Sequence, residues 1–297
     1  MSHVLTLIAP PGGLSAALLT EIRAALQDLG ATAAAPDWLA EAEAADLPFD
    51  GLAPDQATAA ARAVLGGAPV DAIAQEAEGR RKRLLLADMD STIVTSETLD
   101  ELAAYAGLKE RIAEITRRSM NGELDFKAAL VERVGMLAGL PVSALERTWE
   151  GTALTPGAAE LVRTMRAAGA HCALVSGGFT FFTGRVAERV GFHAHYSNTL
   201  LIEDGKLTGR VAEPILDRDA KLATLKRLAA ELALPLSAAL AVGDGANDLA
   251  MIQAAGLGIA FRAKPVVAAA ARARVDHADL RALLFAQGYR AREIVAG

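Results

Sequence analysis

The pattern of apolar positions changes character near residue 84. From there on, short unbroken apolar runs alternate with stretches whose apolar residues recur at helical spacing. The runs are "LLLAD", "HCALVSGG", "AALAVGDG" and "LGIAF". They lack the alternation of a half-exposed strand, as expected of strands covered on both faces of a parallel sheet. The spacing predicts helices near 157–168, 179–190, 219–233 and 246–255. Strand-helix alternation predicts an α/β fold with a doubly wound parallel sheet over residues 81–297. "LLIEDGKLTGRV" reads as a β-hairpin turning at Asp204-Gly205. Residues 98–152 interrupt the first strand-to-helix connection with two or three helices, a cap insertion over the sheet edge.

Before that change, residues 1–80 read as a separate small α/β unit. "HVLTLIAP" predicts a strand, "LSAALLTEIRAALQDLG" a helix with a glycine stop, and "DQATAAARAVLGG" a second helix. "APVDAIAQEA" predicts a further strand, and "DWLAEAEAADLPFDG" reads as loop. "GRRKR", Gly79 to Arg83, marks the boundary and reads as a solvated joint.

Composition narrows the partners. Apolar residues make up 52% of 297, enough for a sizeable core. A net charge of −6 gives no basic field for nucleic acid. No apolar run reaches the ~18 residues of a membrane span, and "MSHVLTLIAP" lacks a charged leader. Cys172 is the single cysteine, so a reducing cytoplasm is expected and the thiol reads as buried and inert. The histidines form no zinc pattern, and His193 and His195 read as structural.

Three of the apolar runs end in polar groups. Asp88 and Asp90 follow the first, Ser176-Gly177-Gly178 the second, and Asp244 with Asn247 and Asp248 the third. Ligands of open parallel sheets bind outside the carboxyl ends of the strands, so these groups are expected to converge. Carboxylates crowded together repel unless a cation compensates. All-oxygen ligands imply a hard cation, and Mg²⁺ is the expected cofactor, sharing substrate phosphate oxygens. "SGG" ahead of a helix offers a hydroxyl and open N–H groups for phosphate. Lys221 adds positive charge. A carboxylate beside metal and phosphate can attack phosphorus, and a second one two residues on can shuttle the proton. "DMDSTIV" is no EF-hand, because Ile93 and Leu99 stand where Gly and Glu are needed. "GDGAND" is no dinucleotide fingerprint, because Asp248 takes the last glycine position.

"DMDST", "SGG", a separated lysine and "GDGANDL" together resemble the motifs of the haloacid dehalogenase superfamily of phosphotransferases. The insertion after the first motif resembles that family's first type of cap. Over about residues 80–290 the resemblance narrows to the phosphoserine phosphatases, which implies hydrolysis of O-phospho-L-serine through an aspartyl-phosphate as the last step of serine synthesis. By that resemblance Asp88 is the nucleophile and Asp90 the general acid/base. Asp88, the Asp90 main-chain carbonyl and Asp244 hold the metal, and Asp248 steadies Lys221 and the metal site. Ser176, Gly177 and Lys221 grip the phosphoryl group. Glu97 meets the substrate ammonium, Arg133 its carboxylate, Met120 and Phe126 form an apolar wall, and Asn247 contacts substrate. A zwitterionic amino acid needs one such anion and one bidentate cation. Residues 1–80 faintly resemble ACT-type regulatory modules, with a homodimer as the expected assembly. Other small-molecule phosphatases or phosphotransferases of the superfamily, and a non-catalytic binder, are the rival expectations.

Overall fold

The computed structural model describes all residues, Met1–Gly297. The mostly apolar run His3–Ile8 forms β1, the strand from which an antiparallel sheet grows to both sides. In chain order follow α1 (Ala16–Asp28), β2 (Thr32–Ala33), β3 (Asp37–Ala40), β4 (Ala44–Asp50), α2 (Pro54–Leu65) and β5 (Asp71–Glu76). The strand order is β2-β4-β1-β5, with β3 also on β4. Local chemistry sets the helix ends. Ser15 caps α1 by accepting the Leu18 N–H, and Pro54 opens α2, which closes on a left-handed Gly66.

The stretch expected to be loop, "DWLAEAEAADLPFDG", is instead the β3–β4 hairpin. Its strand character comes from a distant partner: β4 pairs with β1 from His3↔Phe49 to Ile8↔Ala44. Leu47 and Phe49 are fully buried, and Asp46 accepts the Thr6 hydroxyl at 2.7 Å.

The second sheet begins with β6 (Leu84–Ala87). Four helices then form the insertion, rather than two or three: α3 (Thr98–Ala104), α4 (Lys109–Met120), α5 (Phe126–Gly135) and α6 (Ser143–Glu150). α7 (Ala158–Ala167), β7 (His171–Phe179), α8 (Thr180–Val190) and β8 (Ala194–Asn198) return the chain to the sheet. The hairpin β9 (Leu200–Glu203) and β10 (Lys206–Val211) turns through Asp204 and Gly205, both at positive φ. It grips the cap: Leu207 N–H donates to Leu140 O at 2.9 Å, and Gly139 N–H to Leu207 O at 2.8 Å. The chain continues through α9 (Arg218–Glu231), β11 (Ala239–Gly243), α10 (Leu249–Ala254), β12 (Leu257–Phe261), α11 (Pro265–Ala270), β13 (Ala273–Val275) and α12 (Ala282–Ala286). The order β13-β12-β11-β6-β7-β8 is parallel throughout. β6, β11 and β7 are neighbours, so the three polar strand ends lie side by side.

"GRRKR" is solvated only in part, at Gly79, Arg81 and Arg83. Arg80 pairs with buried Asp46 at 2.6 Å. Lys82 is buried and donates to the carbonyls of Gly79 at 2.8 Å and Ser237 at 3.0 Å. Arg81 lies 4.2 Å over the Tyr289 ring. The two sheets are also stitched by Asp71, whose carboxylate accepts the N–H groups of Asp276, His277 and Ala278. One continuous apolar cluster runs from Ile8, Leu39 and Ile73 into the parallel sheet. No helix is long and apolar enough to cross a membrane. Cys172 is buried, and burial pushes its thiol up to about 12.

Candidate active site

β6 delivers Asp88 directly: its N–H continues the sheet by donating to Val242 O at 3.0 Å. The chain then coils tightly over Met89–Ile93, with Ser91 in the left-handed region at φ 54°. This coil turns the second carboxylate, Asp90, toward the cap. Its Oδ1 accepts the Thr98 N–H at 2.8 Å, at the start of α3, and its Oδ2 accepts the Ser176 hydroxyl at 3.3 Å. Ser176 Oγ in turn accepts the Gly178 N–H at 2.8 Å.

Lys221, in the first turn of α9, is buried to 1% exposure between two carboxylates. Its Nζ donates to Asp88 Oδ1 at 2.7 Å and to Asp248 Oδ1 at 2.6 Å. Asp248 Oδ2 accepts the N–H groups of Asp244 at 3.2 Å and Gly245 at 3.0 Å, which fixes the loop after β11. Burial opposes the Lys221 ammonium, but Asp248 and Asp88 outweigh it and raise its pKa. Asp88 is also raised, by burial and then by Asp248, with Lys221 pulling the other way. Asp244 is pushed up to about 8, by burial and then by Glu97 and Asp248. Asp90 is pushed up to about 7, by burial and then by Glu97. Three neighbouring acids thus resist ionising, as expected of carboxylates crowded without enough positive charge.

A divalent cation would supply that charge. Oxygens of Asp88, Asp244 and Asp248 lie within 4.8 Å of one another. Asp248 has both oxygens in use, whereas buried Asp244 Oδ2 accepts no hydrogen bond. Lys264 Nζ approaches that oxygen only to 3.5 Å. The all-oxygen donor set fits a hard cation held chiefly by Asp88 and Asp244.

The cap closes the other side. Asp88, Asp90, Glu97, Met120, Phe126, Arg133, Ser176, Gly177, Asp244 and Asn247 all line one cavity of about 30 Å³. Lys221 stands behind it, donating to both Asp88 and Asp248. Glu97 accepts the Ser91 hydroxyl at 2.6 Å, and burial raises its pKa. Two glycines make room for the cap. A Cβ on Gly177 would stand 2.4 Å from Phe126 Cζ, and one on Gly245 would stand 2.8 Å from Met120 Sδ. Beside them, the Ala246 N–H donates to Met120 O at 2.9 Å. Across the mouth, Lys127 of α5 pairs with Asp217, the N-cap of α9, at 3.0 Å.

Sequence reasoning missed several neighbours. Leu99, Leu130 and Phe179 line the same cavity, and Ser91, Thr98 and Lys264 position its carboxylates. Their residue types are ordinary, and only the fold brings them there. Leu130 alone carried a trace, one helical turn from Phe126 and near Arg133.

A family model described as haloacid dehalogenase-like hydrolase matches residues 85–253. The phosphoserine phosphatase of Streptomyces coelicolor is 44% identical over 230 residues, 77% of this chain and 56% of that protein. The phosphoserine phosphatase of Lactococcus lactis is 42% identical over 203 residues, 68% of this chain and 94% of that one. A solved structure described as a phospho-aspartyl intermediate analogue of phosphoserine phosphatase superposes with a TM-score of 0.67 at 39% identity. It covers 69% of this chain and 98% of its own. The chain spans about half the length of several curated relatives that it matches, the Streptomyces one included. The chain therefore belongs to the haloacid dehalogenase-like hydrolase family.

Proposed function

We propose that this chain is a phosphoserine phosphatase that hydrolyses O-phospho-L-serine to L-serine and phosphate through an aspartyl-phosphate on Asp88, with Mg²⁺ as its cofactor. The observation that carries the proposal is one cavity lined by Asp88, Asp90 and Ser176 from the sheet and by Glu97 and Arg133 from the cap side. The first three suit a phosphoryl group and the last two suit the ends of an amino acid. The named relatives and the phospho-aspartyl analogue support the same activity.

In the proposed cycle Lys221 ties down Asp88 Oδ1, so the other oxygen of Asp88 is the one free to attack phosphorus. The P–O bond to serine breaks as that bond forms, and protonated Asp90 gives its proton to the departing serine oxygen. Asp90, now a carboxylate, takes a proton from water. The resulting hydroxide attacks phosphorus, the bond to Asp88 breaks, and phosphate leaves. Ser176 and the Gly177 N–H, both at the cavity wall, are assigned to the phosphoryl oxygens, and Lys221 supplies positive charge from behind Asp88. Asp88, the Asp90 main-chain carbonyl and Asp244 would hold Mg²⁺, which supplies charge neutralisation on the phosphate when bound. Glu97, Arg133 and Asn247 take the serine moiety, with Met120 and Phe126 packed against its flank.

Asp88→Asn tests the scheme. The amide keeps the shape and removes the nucleophilic charge, so phosphate release is expected to fall by about 10³-fold or more, with unchanged circular dichroism. Turnover within tenfold of wild type would overturn the covalent route.

A further inference from the structure

Arg133 is buried to 3% exposure inside the cap, where a guanidinium needs partners. Its Nε donates to Ala129 O at 3.1 Å, one turn back on α5. Its Nη1 donates to the Thr116 hydroxyl of α4 at 2.8 Å. That hydroxyl lies 2.6 Å from Asp100 Oδ1 of α3, with the Ile112 carbonyl at 3.1 Å as its longer alternative. Asp100 and Thr116 are both buried. A chain of hydrogen bonds therefore runs from α3 through α4 to α5 and ends on the guanidinium that faces the cavity.

Two features of the chain matter chemically. Both fixed bonds leave donors of Nη1 and Nη2 for a planar, two-point grip on a carboxylate. The only carboxylate on the chain, Asp100, reaches the guanidinium through a hydroxyl, without a direct ion pair. A direct pair would occupy the fork and compete with any anionic guest. One intervening hydroxyl orients the cation and leaves its charge available.

We propose that Asp100 and Thr116 are positioning residues that aim Arg133 at the carboxylate of the substrate and so set selectivity for an amino-acid phosphate. This rests on the phosphoserine activity proposed above. Neither residue lines the cavity or touches the phosphoryl-transfer groups. Their effect is confined to the end of the substrate that does not react. Binding energy from that end serves to align the reacting end, so a small misorientation is expected in both KM and kcat for phosphoserine.

The test compares phosphoserine with an aryl phosphate that has neither carboxylate nor ammonium. Thr116→Val is expected to lower kcat/KM for phosphoserine about tenfold or more and to change that for the aryl phosphate by less than about twofold. Thr116→Ser, which restores the hydroxyl, should recover phosphoserine turnover to within about threefold. In an Arg133→Ala background, Thr116→Val should have no further effect on selectivity, because the relay then has nothing to aim. Equal losses on both substrates, failure of serine to rescue, or full additivity with Arg133→Ala would overturn the relay. Asp100→Asn repeats the test if the valine variant does not fold. A wild type that cleaves the aryl ester but never phosphoserine would instead sink the activity, and the relay with it.

Discussion

Lys221 Nζ stands 2.7 Å from Asp88 Oδ1, while the same nitrogen is 2.6 Å from Asp248 Oδ1. One buried cation thus serves two buried anions, and a third carboxylate, Asp244, lies close by. The triad is short of positive charge, which a metal ion held by Asp88 and Asp244 would supply.

Removing that cation should be severe. Lys221→Met leaves Asp88 and Asp248 buried without their partner, and breaking such a pair costs about 3–5 kcal/mol. Urea unfolding at neutral pH should show that loss, and saturating Mg²⁺ should restore part of it by replacing the missing charge. A variant as stable as wild type would mean that the three groups do not act as one charged unit.

The Asp90–Glu97 pair predicts a pH effect with a definite sign. Asp90, raised to about 7 by burial and then by Glu97, is protonated below that pH and ionised above it. Donation to the departing alcohol therefore fades as pH rises, and acceptance from water fades as pH falls. Glu97→Gln removes a neighbouring negative charge, so the pKa of Asp90 drops and the alkaline limb moves to lower pH. An alkyl phosphate without an ammonium group keeps lost substrate binding out of the measurement. An alkaline limb that stays put or moves upward would exclude Asp90 as the acid.

Arg133 predicts substrate preference. Arg133→Ala should lower the ratio of phosphoserine to aryl-phosphate kcat/KM by about 10²-fold or more, the scale for unpairing a charged, two-point contact. Arg133→Lys should recover little of it, because a lysine cannot reproduce the bonds to Ala129 O and Thr116 while presenting a fork. A ratio unchanged in Arg133→Ala would refute the amino-acid substrate.

At the opposite end of the parallel sheet, the rings of His171 and His193 stack with centroids 4.7 Å apart. His193 Nδ1 accepts the Cys172 N–H, and His171 Nε2 is buried without a partner. Burial chiefly holds both rings below the ordinary imidazole value, and Arg166 adds to this at His193. With folded values below unfolded ones, the pair contributes stability that is complete above about pH 6.5 and lost as pH falls below it. Relative to His171→Phe, wild type should lose melting temperature between about pH 6.5 and 5. Parallel curves for the two proteins would show that the rings titrate as freely as in the unfolded chain.

The meeting of the polar strand ends was more legible than the N-terminal sheet. Asp88, Ser176 and Asp244 could be placed because each follows an apolar run, and parallel sheets gather such ends at one edge. The β3–β4 hairpin was not legible. Its Ala- and Glu-rich stretch carries little strand propensity, and β4 is held by pairing with β1 some forty positions earlier. "GRRKR" misled for a related reason: the partners of Arg80 and Lys82, Asp46 and Ser237, lie 34 and 155 residues away. Asp100 and Thr116 were invisible because a buried relay on charged helices has the same residue types as a solvated face.

The glycine seats beneath Phe126 and Met120 carry a kinetic consequence. With about 30 Å³ between lid and floor, there is space for about two waters at ~10–15 Å³ each, far less than a phosphorylated amino acid. Entry of the substrate proposed above therefore requires α4 and α5 to lift off Gly245 and Gly177. The pace of the proposed reaction is bounded by how often that door swings, however fast phosphorus changes hands inside.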